Sequence, residues 1–586
     1  MDLKTAPPPA LARPLAGTVV RALGDSRAVR VAAARLHALG CTVETGGAAP
    51  PDAPAGWLGV VEAPFVPGDG PLPECRISWS GPVPVPMRGE RDVQAACGIM
   101  HVHGRATGAP RALPVDFASV CAGVLAVQAV TAGMLAVLRG GPPVCATTSV
   151  AQAAALALNQ YVAVATSDPG GHPPGTADRT PPFRSADGVR FEIETFAAEN
   201  WLAFWTALGA ERSAIVAGWP PFQQRFATAT CALPPALAAA TAPTPYPAIR
   251  TAAQAADVSI VEVHGDAPRP FPPLASPWRL SATAAQDAGV MEVWPDAARP
   301  SPQVASAGRP GATGGADDRQ RRPASGHAPL GGVRVVEATN RIQGPLAGHL
   351  LGLLGAEIVR LEPPGGDPMR GVPPLVDGCS ARFLALNRGK GTVEADLKTR
   401  TGRETALRVL ATSDVFLQNW PPGRAHRFAL DAGDLAAVRP GLVYAHAGGW
   451  ADVHPEPQPM GTDYLVQAYT GVAALLAEPG RRPAPTLMTI TDVLGALISA
   501  EGTIAGLLAR ARTGTGVRVE TGLVDAARLL CDAHDGDPAA DTAPAAPVVT
   551  DLAAMAADPA YAALLETRGA AYSRSPWTFV PQREAT

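Results

Sequence analysis

Hydrophobic positions follow the same pattern in two parts of the chain. Residues 15–44 and residues 330–359 align without gaps at a constant offset of 315. In each stretch a run rich in β-branched residues is followed by a turn, by apolar residues at helical spacing, by a Leu-Gly pair and by a second short apolar run. This order predicts strand, helix and strand, with the glycine ending the helix. Both stretches are therefore predicted to be βαβ units of a parallel sheet.

A second pair of matching segments leads into the longest apolar runs. VQAACGIM, from Val93, and VQAYTGVA, from Val466, each precede a long helical pattern. The first of these helices, predicted at 117–138, is apolar enough to resemble a membrane span. Its counterpart in the second half carries Glu501 at its middle. We therefore expect both helices to be buried in a protein that does not enter a membrane.

Two aspartates and a terminal motif extend the correspondence. Asp116 and Asp492 lie at the start of the two long helices, so we expect them to be counterparts. SPWRL at Ser276 and SPWTF at Ser575 mark a common end. The repeat is thus predicted to span most of the chain.

The gaps between the matching segments are complementary. From the glycine of the Leu-Gly pair to the glutamine of the VQA segment there are 54 residues in the first half and 112 in the second. After the long helix the order is reversed: Val150 to the serine of the first SPW motif spans 126 residues, whereas Val524 to the serine of the second spans 51. Each half lacks what the other keeps, so we expect an intrachain pseudo-dimer. The predicted segments are a degenerate large-domain part (1–150), a small domain (151–295), a disordered linker (296–329), a complete large domain (330–535) and a shortened C-terminal segment (536–586) that returns to the large domain.

Composition narrows the class of function. The chain has 586 residues, 47% of them hydrophobic, which is enough for two or more domains. A net charge of −4 gives no reason to expect nucleic acid or an anionic membrane as partner. The eight cysteines lack the spacing of a zinc site, and the N-terminal segment lacks the apolar core of a signal peptide, which favours reduced thiols in the cytoplasm. Neither the phosphate-loop motif GxxxxGKS/T nor the zinc motif HExxH occurs in the sequence.

Five motifs in the second half occur in the order found in one enzyme family. They are VRVVEATNRIQGPLAGHLLGLLGAEIVRLEPPGGDPMR, FLALNRGKGTVEADLKTRTGRE, DVFLQNWPPGRAHRFAL, MGTDYLVQAYTGVAALL and LMTITDVLGALISAEGTIAGLLARARTGTGVRVETGLVDAA. Through them the second half resembles the family III CoA-transferases of the CaiB/BaiF type. The first half resembles the same family more weakly, through residues 15–44 and 88–282.

The resemblance implies a fold and an activity. Family members combine a doubly wound, parallel-sheet α/β large domain with a small α+β domain, and two chains interlock. A fused pair places both partners in one polypeptide, so a monomer is sufficient. The implied activity is transfer of CoA from an acyl-CoA donor to a carboxylic acid, with coenzyme A or acyl-CoA as substrate and without a metal.

The resemblance also assigns catalytic roles. Asp492 matches the family nucleophile, which forms an acyl anhydride and then an aspartyl thioester. Taken alone, Thr491 and Asp492 before an apolar run are typical of a helix N-cap. Gln343 matches an active-site glutamine, and Asp463 matches an acidic position with either an acidic or a structural role. The backbone N–H groups where Asp492 opens its helix are expected to stabilise the oxyanion.

Four side chains match family positions that bind CoA. Asn387 and Lys390 lie in LNRGKG, and Asn419 and Arg427 lie in QNWPPGRAHR. Amide and cationic groups on loops at strand ends suit an anionic nucleotide, whereas ordinary surface solvation is the alternative for each residue. The first half has no counterpart of this region, so Asp116 is expected to be a vestigial cap.

Three other functions stay open at this point. An α-methylacyl-CoA racemase uses a histidine where this chain has Thr462, which counts against that activity. A CoA-dependent lyase is favoured by the two-copy layout, because some tandem members of the family couple CoA transfer to a lyase step. A CoA-binding pseudoenzyme or interaction protein is favoured by the truncation of both copies.

Overall fold

The computed structural model describes residues 9–66, 70–168, 181–265, 267–271, 276–283, 305–306, 328–451, 453–454, 458–477, 480–534 and 543–582. The first half is taken below as residues 9–283 and the second half as residues 328–582. Most of the linker predicted at 296–329 lies outside the described residues.

The strands are β1 (Val19–Leu23), β2 (Thr42–Thr45), β3 (Gly56–Glu62), β4 (Glu74–Ser78), β5 (Val144–Ser149), β6 (Phe183–Arg184), β7 (Arg190–Glu194), β8 (Ser259–Glu262), β9 (Trp278–Ala282), β10 (Ala305–Ser306), β11 (Arg334–Ala338), β12 (Glu357–Glu362), β13 (Leu375–Val376), β14 (Cys379–Ser380), β15 (Gly391–Glu394), β16 (Val415–Gln418), β17 (Val443–Gly448), β18 (Val517–Gly522), β19 (Leu565–Arg568), β20 (Ala570–Ser573) and β21 (Thr578–Pro581).

The α-helices are α1 (Pro9–Ala12), α2 (Arg27–Ala38), α3 (Glu90–Ala96), α4 (Ile99–Gly104), α5 (Phe117–Leu138), α6 (Val150–Ala157), α7 (Asn159–Ser167), α8 (Ala198–Ala207), α9 (Arg212–Thr228), α10 (Pro235–Thr241), α11 (Tyr246–Ala255), α12 (Gln343–Leu353), α13 (Ala381–Asn387), α14 (Arg400–Leu410), α15 (Arg424–Arg427), α16 (Ala432–Val438), α17 (Asp463–Thr470), α18 (Val472–Leu475), α19 (Ile490–Thr513), α20 (Leu523–Asp532) and α21 (Leu552–Ala557). Short 3₁₀ turns cover Arg105–Thr107, Pro368–Gly371 and Pro559–Tyr561.

The sheet of the second half follows a doubly wound plan. Its order is β10-β15-β12-β11-β16-β17-β18-β9. The six inner strands are parallel, and the edge strands β10 and β9 are antiparallel to them. In chain order the inner strands stand third, second, first, fourth, fifth and sixth, so the order reverses between β11 and β16. The βαβ unit predicted at 330–359 is confirmed.

The sheet of the first half is mixed. Its order is β2-β1-β3-β4-β5-β21. The βαβ unit predicted at 15–44 is confirmed, because β1 and β2 are parallel and flank α2. However, β3 is antiparallel to both β1 and β4. The short segment between β3 and β4 leaves no room for a crossover helix, which parallel strands require.

Each sheet is completed by a strand from the other half. β9, which follows the first SPW motif, pairs with β18 at the edge of the second-half sheet. β21, which follows the second SPW motif, pairs with β5 at the edge of the first-half sheet. The two halves are therefore joined by backbone hydrogen bonds at two sheet edges.

The helices α5 and α19 form the centre of the core. Both are long and apolar enough to cross a membrane, but almost all of their residues are enclosed by the protein. Gln128 of α5 donates to Leu497 O of α19 at 2.8 Å. Arg35 of α2 donates to the two Glu501 carboxylate oxygens at 2.9 and 2.7 Å and lies over the Trp278 ring. Because burying a carboxylate is costly, this pairing explains how Glu501 is accommodated in the core.

A smaller unit lies within the small domain predicted at 151–295. The strands β6, β7 and β8 form an antiparallel sheet, and α8 to α11 surround it. Its core is aromatic and includes Trp201, Phe204 and Trp205, and the Trp205 ring contacts each of the other two edge to face. The strands β7 and β8 pack against α17 of the second half. This packing brings the first half to the carboxyl ends of the second-half strands.

Candidate active site

The crevice where the second-half strand order reverses holds several polar side chains. In doubly wound sheets ligands bind outside the carboxyl ends of the strands at this point. Asn419, just after β16, accepts from Asn340 N at 3.0 Å and donates to Asn340 O at 2.9 Å, just after β11. Gln343 opens α12 and donates to Gly448 O, at the end of β17, at 3.2 Å. Two predicted site residues, Gln343 and Asn419, therefore lie at the same crevice.

Asp492 lies in the first turn of α19 with 8% of its surface exposed. A Cβ placed on Gly495, one turn later, would lie 3.1 Å from Gln343 Nε2. The absence of a side chain at residue 495 thus lets Gln343 pack against the helix beside Asp492. Gln343 therefore lies against the first turns of the helix that carries Asp492.

The N-terminus of α19 is capped by Asp463, not by its own residues. The Asp463 carboxylate accepts from Thr491 N at 2.7 Å, from Asp492 N at 2.9 Å and from Thr491 Oγ1 at 2.5 Å. The N-cap position is Thr489. The alternative hypothesis, in which Asp492 serves only as the helix N-cap, is therefore wrong. The expected use of these N–H groups for an oxyanion is also wrong, because the Asp463 carboxylate already occupies them.

Asp463 is itself held by side chains of the second half. Gln467 donates to its Oδ2 at 2.5 Å and also bonds to both backbone polar groups of Thr486. Burial raises the pKa of Asp463 to about 6, although these hydrogen bonds oppose the shift. Asp463 thus caps the start of α19, and this contact agrees with the structural alternative that the sequence left open.

The Asp492 carboxyl is desolvated, and among the described residues only the nearby charges of Arg341 and Arg382 favour its ionised form. Burial raises its pKa well above its ordinary range, and the neighbouring Asp463 raises it further. Arg341 and Arg382 act in the opposite direction. A carboxylate without a solvation shell is a stronger nucleophile than one in water, so this environment suits attack on a thioester.

The first half covers Asp492. Glu194, at the end of β7, also raises the pKa of Asp492 and accepts from Arg225 Nη2 at 3.2 Å. Phe196 lies against the Arg341 guanidinium. Tyr464, next to Asp463, donates to Arg225 O at 3.2 Å. The site is therefore built from both halves of the chain.

A second contact from the first half comes from α7. Gln160 donates to Thr489 Oγ1 at 2.9 Å, and Thr489 N donates to Tyr161 Oη at 3.0 Å. Gln160 also accepts from the Arg382 guanidinium at 3.2 Å. These residues fix the start of α19 and one wall of the site.

The two predicted CoA-binding residues of LNRGKG face the protein interior. Lys390 Nζ donates to Glu337 at 2.8 Å, to Pro345 O at 2.6 Å and to Asn387 Oδ1 at 3.0 Å. Asn387 also accepts from Arg360 at 2.6 Å. Burial lowers the pKa of Lys390 to about 8. In this structure both side chains belong to a buried polar cluster below the crevice.

The two predicted residues of QNWPPGRAHR lie in different surroundings. Asn419 is half-buried at the crevice, as described above. Arg427 ends the short helix α15 and is exposed at the surface. The structure therefore brings Asp492, Asp463 and Gln343 together, places Asn419 at the same crevice, and leaves Arg427 outside this group.

A family model describes most of this chain. The model for CoA-transferase family III matches residues 91–267 and 330–561. The chain belongs to the family III CoA-transferases. The two matched regions correspond to the two halves, with the central segment left unmatched.

Named family members resemble part of the chain. A succinate–glutarate CoA-transferase of Agrobacterium fabrum is 32% identical over 205 residues, which is 34% of this chain and 51% of that protein. An acetyl-CoA:oxalate CoA-transferase of Acetobacter aceti is 31% identical over 205 residues, 35% and 53% respectively. A CaiB/BaiF family protein from Brucella suis, of known structure, is 34% identical, with 34% and 54% coverage and a TM-score of 0.33. The chain spans about half the length of the curated relatives it matches.

The first-half counterpart of Asp492 is not Asp116. In the second half Asp463 accepts from the N–H groups of Thr491 and Asp492; in the first half Glu90 accepts from the N–H groups of Ala118 and Ser119, at 3.0 and 2.8 Å. Asp116 occupies the N-cap position, as Thr489 does. The expected pairing of Asp116 with Asp492 is wrong by three residues.

Ser119 therefore occupies in the first half the position that Asp492 occupies in the second. Its hydroxyl donates to Glu90 at 2.6 Å. Asp116 instead forms an ion pair with Arg27 at 3.1 Å. The two aspartates look equivalent in the sequence because both precede an apolar run, but only Asp492 lies inside its helix.

Several residues of the site were not predicted. Arg341 lies two residues before Gln343 in the same motif, so its position after β11 was a usable signal. Glu194 and Gln160 lie about 300 residues away in the sequence and reach the site only through the packing of the first half. Local patterns contain no information about that packing.

Proposed function

We propose that the chain is a CoA-transferase that moves CoA from an acyl-CoA donor to a carboxylic acid, with Asp492 as the nucleophile. The observation that supports this most directly is the position of Asp492. Its helix N-terminus is capped by another residue, and its own carboxyl lies desolvated beside Gln343 in a crevice covered by the first half. Relatives that resemble part of the chain are named as CoA-transferases.

The proposed reaction has four exchanges at carbonyl carbons. Asp492 attacks the donor thioester, the C–S bond breaks, and an acyl-aspartyl anhydride and CoA thiolate form. The thiolate attacks the Asp492 carbonyl, which releases the donor acid and leaves an aspartyl-CoA thioester. The acceptor carboxylate attacks this thioester to form a second anhydride and thiolate. The thiolate then attacks the acceptor carbonyl, so that the new acyl-CoA leaves and the carboxylate of Asp492 is restored.

Stabilisation of the tetrahedral oxyanion falls to side chains. The N–H groups at the start of α19 bond to Asp463. Gln343 uses one amide N–H for Gly448 O, and the same amide has a second N–H to offer. We assign this donor to the oxyanion, and Asn387, Lys390, Asn419 and Arg427 to CoA binding, the first two by supporting the crevice from below.

The pseudo-dimer is part of the same proposal. The first half supplies the small domain (151–295) that covers Asp492, and the second half supplies the catalytic, CoA-binding large domain (330–535). The exchanged strands β9 and β21 support this organisation. One complete site per chain follows, because the first half has Ser119 in place of the nucleophile. A monomer in the cytoplasm is then sufficient for activity.

The racemase alternative has less support. Thr462 occupies the position of the expected base, and a hydroxyl is a poor base near neutral pH. The Thr462 side chain is buried and forms no hydrogen bond within the described residues. We therefore favour CoA transfer.

Covalent trapping tests the proposal. The protein is incubated with a panel of acyl-CoAs, treated with hydroxylamine and examined by intact-protein and peptide mass spectrometry. We expect a hydroxamate at Asp492, and none in Asp492→Asn. Asp116→Asn, a control at the N-cap position of α5 in the first half, should react like the wild type. A protein that binds CoA but forms no adduct with any donor would contradict the transferase assignment and favour a pseudoenzyme.

A further inference from the structure

A cavity in the first half lies where the second half has its active-site crevice. Its volume is about 390 Å³. Its walls include Glu90 and Ser119, the counterparts of the two buried aspartates at the start of α19. Leu530, from α20 of the second half, also lines it. Ligand pockets have volumes of about 300–1,000 Å³, so the cavity is large enough for a small organic molecule.

Three arginines line this cavity at positions where the second half has no cation. They are Arg27, Arg30 and Arg91. In the alignment of the two halves, Ile342 and Pro345 stand at the positions of the first two, and Tyr464 stands at the position of the third. A copy of the active site that had only lost its nucleophile would not have gained these groups. The wall therefore differs from the active site in its charges as well as in its reactive residue.

Two carboxylates of the cavity wall are bound by groups of the first half. Glu90 accepts from Ala118 N at 3.0 Å and from Ser119 N and Oγ at 2.8 and 2.6 Å. Asp116 forms an ion pair with Arg27 at 3.1 Å. Both carboxylates are thus stabilised within the protein, and Ser119 adds no charge at the place of the nucleophile.

The other charged side chains of the cavity wall are Arg30, Arg91 and Asp25. Arg30 and Asp25 lie at the exposed rim, and Arg91 is half-buried. Together these three side chains carry one positive charge in excess. A carboxylate, with one negative charge, matches this balance, whereas a phosphate ester carries about 1.5–2 negative charges at neutral pH. A guanidinium also pairs with a carboxylate through two parallel hydrogen bonds.

The uncharged part of the wall is mostly apolar. Trp79, which is half-buried, lines the cavity together with Leu113, Val115 and Val120. Such a wall suits a ligand with a hydrocarbon or aromatic body. Because the first half has no counterpart of the LNRGKG and QNWPPGRAHR segments, we expect this ligand not to carry CoA.

We propose that this cavity is a second, non-catalytic site, which binds a small organic carboxylate with an apolar body and without CoA. The inference does not depend on the proposed CoA-transferase function, because no group of the cavity takes part in the chemistry at Asp492. Apolar walls with a few charged groups that fix the orientation of the ligand are the usual composition of a small-molecule site.

Isothermal titration of the full-length protein with matched probes tests the charge of the ligand. Phenylacetate and 2-phenylacetamide have nearly the same shape, but only phenylacetate is charged, and hexanoate replaces its ring by an alkyl chain. We expect phenylacetate to bind with a Kd between about 10 μM and 1 mM, and its amide to bind roughly 10-fold more weakly or less. Tighter binding of phenyl phosphate than of phenylacetate would contradict the choice of a carboxylate.

Two variants locate the site. Ala533→Phe adds a ring to the cavity wall, and Arg91→Gln removes one guanidinium. We expect Ala533→Phe to abolish phenylacetate binding and Arg91→Gln to weaken it to the level of the amide. Arg400→Gln, a matched change at an exposed arginine on α14, should bind phenylacetate like the wild type. Since Ala533 and Arg91 line the first-half cavity, these variants separate it from carboxylate binding beside Asp492.

Each result supports or contradicts the inference. Binding of neither phenylacetate nor hexanoate, or equal binding of phenylacetate and its amide, would mean that the cavity only holds water. Phenylacetate binding that is unchanged in both cavity variants would place the ligand elsewhere and overturn the assignment. If one variant does not fold, the other variant and the comparison with the amide decide. Failure of hydroxylamine trapping at Asp492 contradicts only the proposed function, since the titration requires no adduct.

Discussion

Asp492 and Asp463 are neighbouring buried carboxyl groups with different hydrogen-bond partners. Asp463 accepts from two backbone N–H groups, a hydroxyl and an amide. Within the described ranges the Asp492 carboxyl accepts no hydrogen bond. Ionising Asp492 therefore costs the folded protein more than the unfolded chain. A reactive group of this kind is expected to reduce stability in exchange for activity.

This difference predicts a pH-dependent gain from Asp492→Asn. The folded protein raises the pKa of Asp492, so wild-type stability falls as the pH rises from the ordinary aspartate pKa to the raised value. The asparagine variant has no such loss. We expect it to be more stable than the wild type by about 1–2 kcal/mol at pH 8, with a smaller difference at pH 4.5. Urea unfolding at both pH values measures this, and a variant less stable at pH 8 would contradict it.

At the residue scale the sequence predicted the site only in part. Asp492, Asp463 and Gln343 lie in motifs of the resembling family, and the structure places them together. The N-cap alternative for Asp492 arose because a short polar residue before an apolar run is the usual local signal. The cap comes instead from Asp463, which is 29 residues earlier in the chain. Local sequence rules cannot detect a cap supplied by tertiary packing.

At the element scale the starts of α5 and α19 are equivalent. In each, a carboxylate from the short helix two helices earlier, α3 or α17, accepts from two N–H groups. A glutamine of the same short helix, Gln94 or Gln467, donates to that carboxylate. The two βαβ units and the two long helices were predictable because their apolar periods are strong. The antiparallel strand β3 was not predictable from the sequence, because it lies in the interval where the first half is shorter than the second and has no matching segment there.

The capping arrangement predicts opposite results for two substitutions of Asp463. Asp463→Ala removes the acceptor of two buried N–H groups and a hydroxyl, so we expect a loss of about 2–4 kcal/mol in the free energy of unfolding. Asp463→Asn keeps an amide oxygen at that place and should recover at least half of the loss. Chemical denaturation of the three proteins measures this. Equal losses in both variants would mean that the charge, not the hydrogen bonding, stabilises α19.

At the scale of the whole molecule the two halves share one core. The strands β9 and β21 cross between the sheets, the helices α5 and α19 pack against each other, and Arg35 of the first half neutralises Glu501 of the second. A charge pair buried between two segments is strongly destabilising when one partner is missing. The complementary gaps in the sequence indicated such a dependence. Which strand crosses to which edge was not predictable, since the SPW motifs show no pairing partner.

A cut between the halves tests this dependence. We expect that a protease site inserted between residues 310 and 320 can be cleaved without separating the fragments, because the extensive contact between the halves resembles an obligate interface. Size-exclusion chromatography of the cleaved protein should show one species at the mass of the intact chain. Each fragment expressed alone should be insoluble or unfolded, and refolding the two together should restore the adduct at Asp492. Two fragments that separate in native buffer, each folded, would show that the halves are independent domains and that the first half does not need to cover the site.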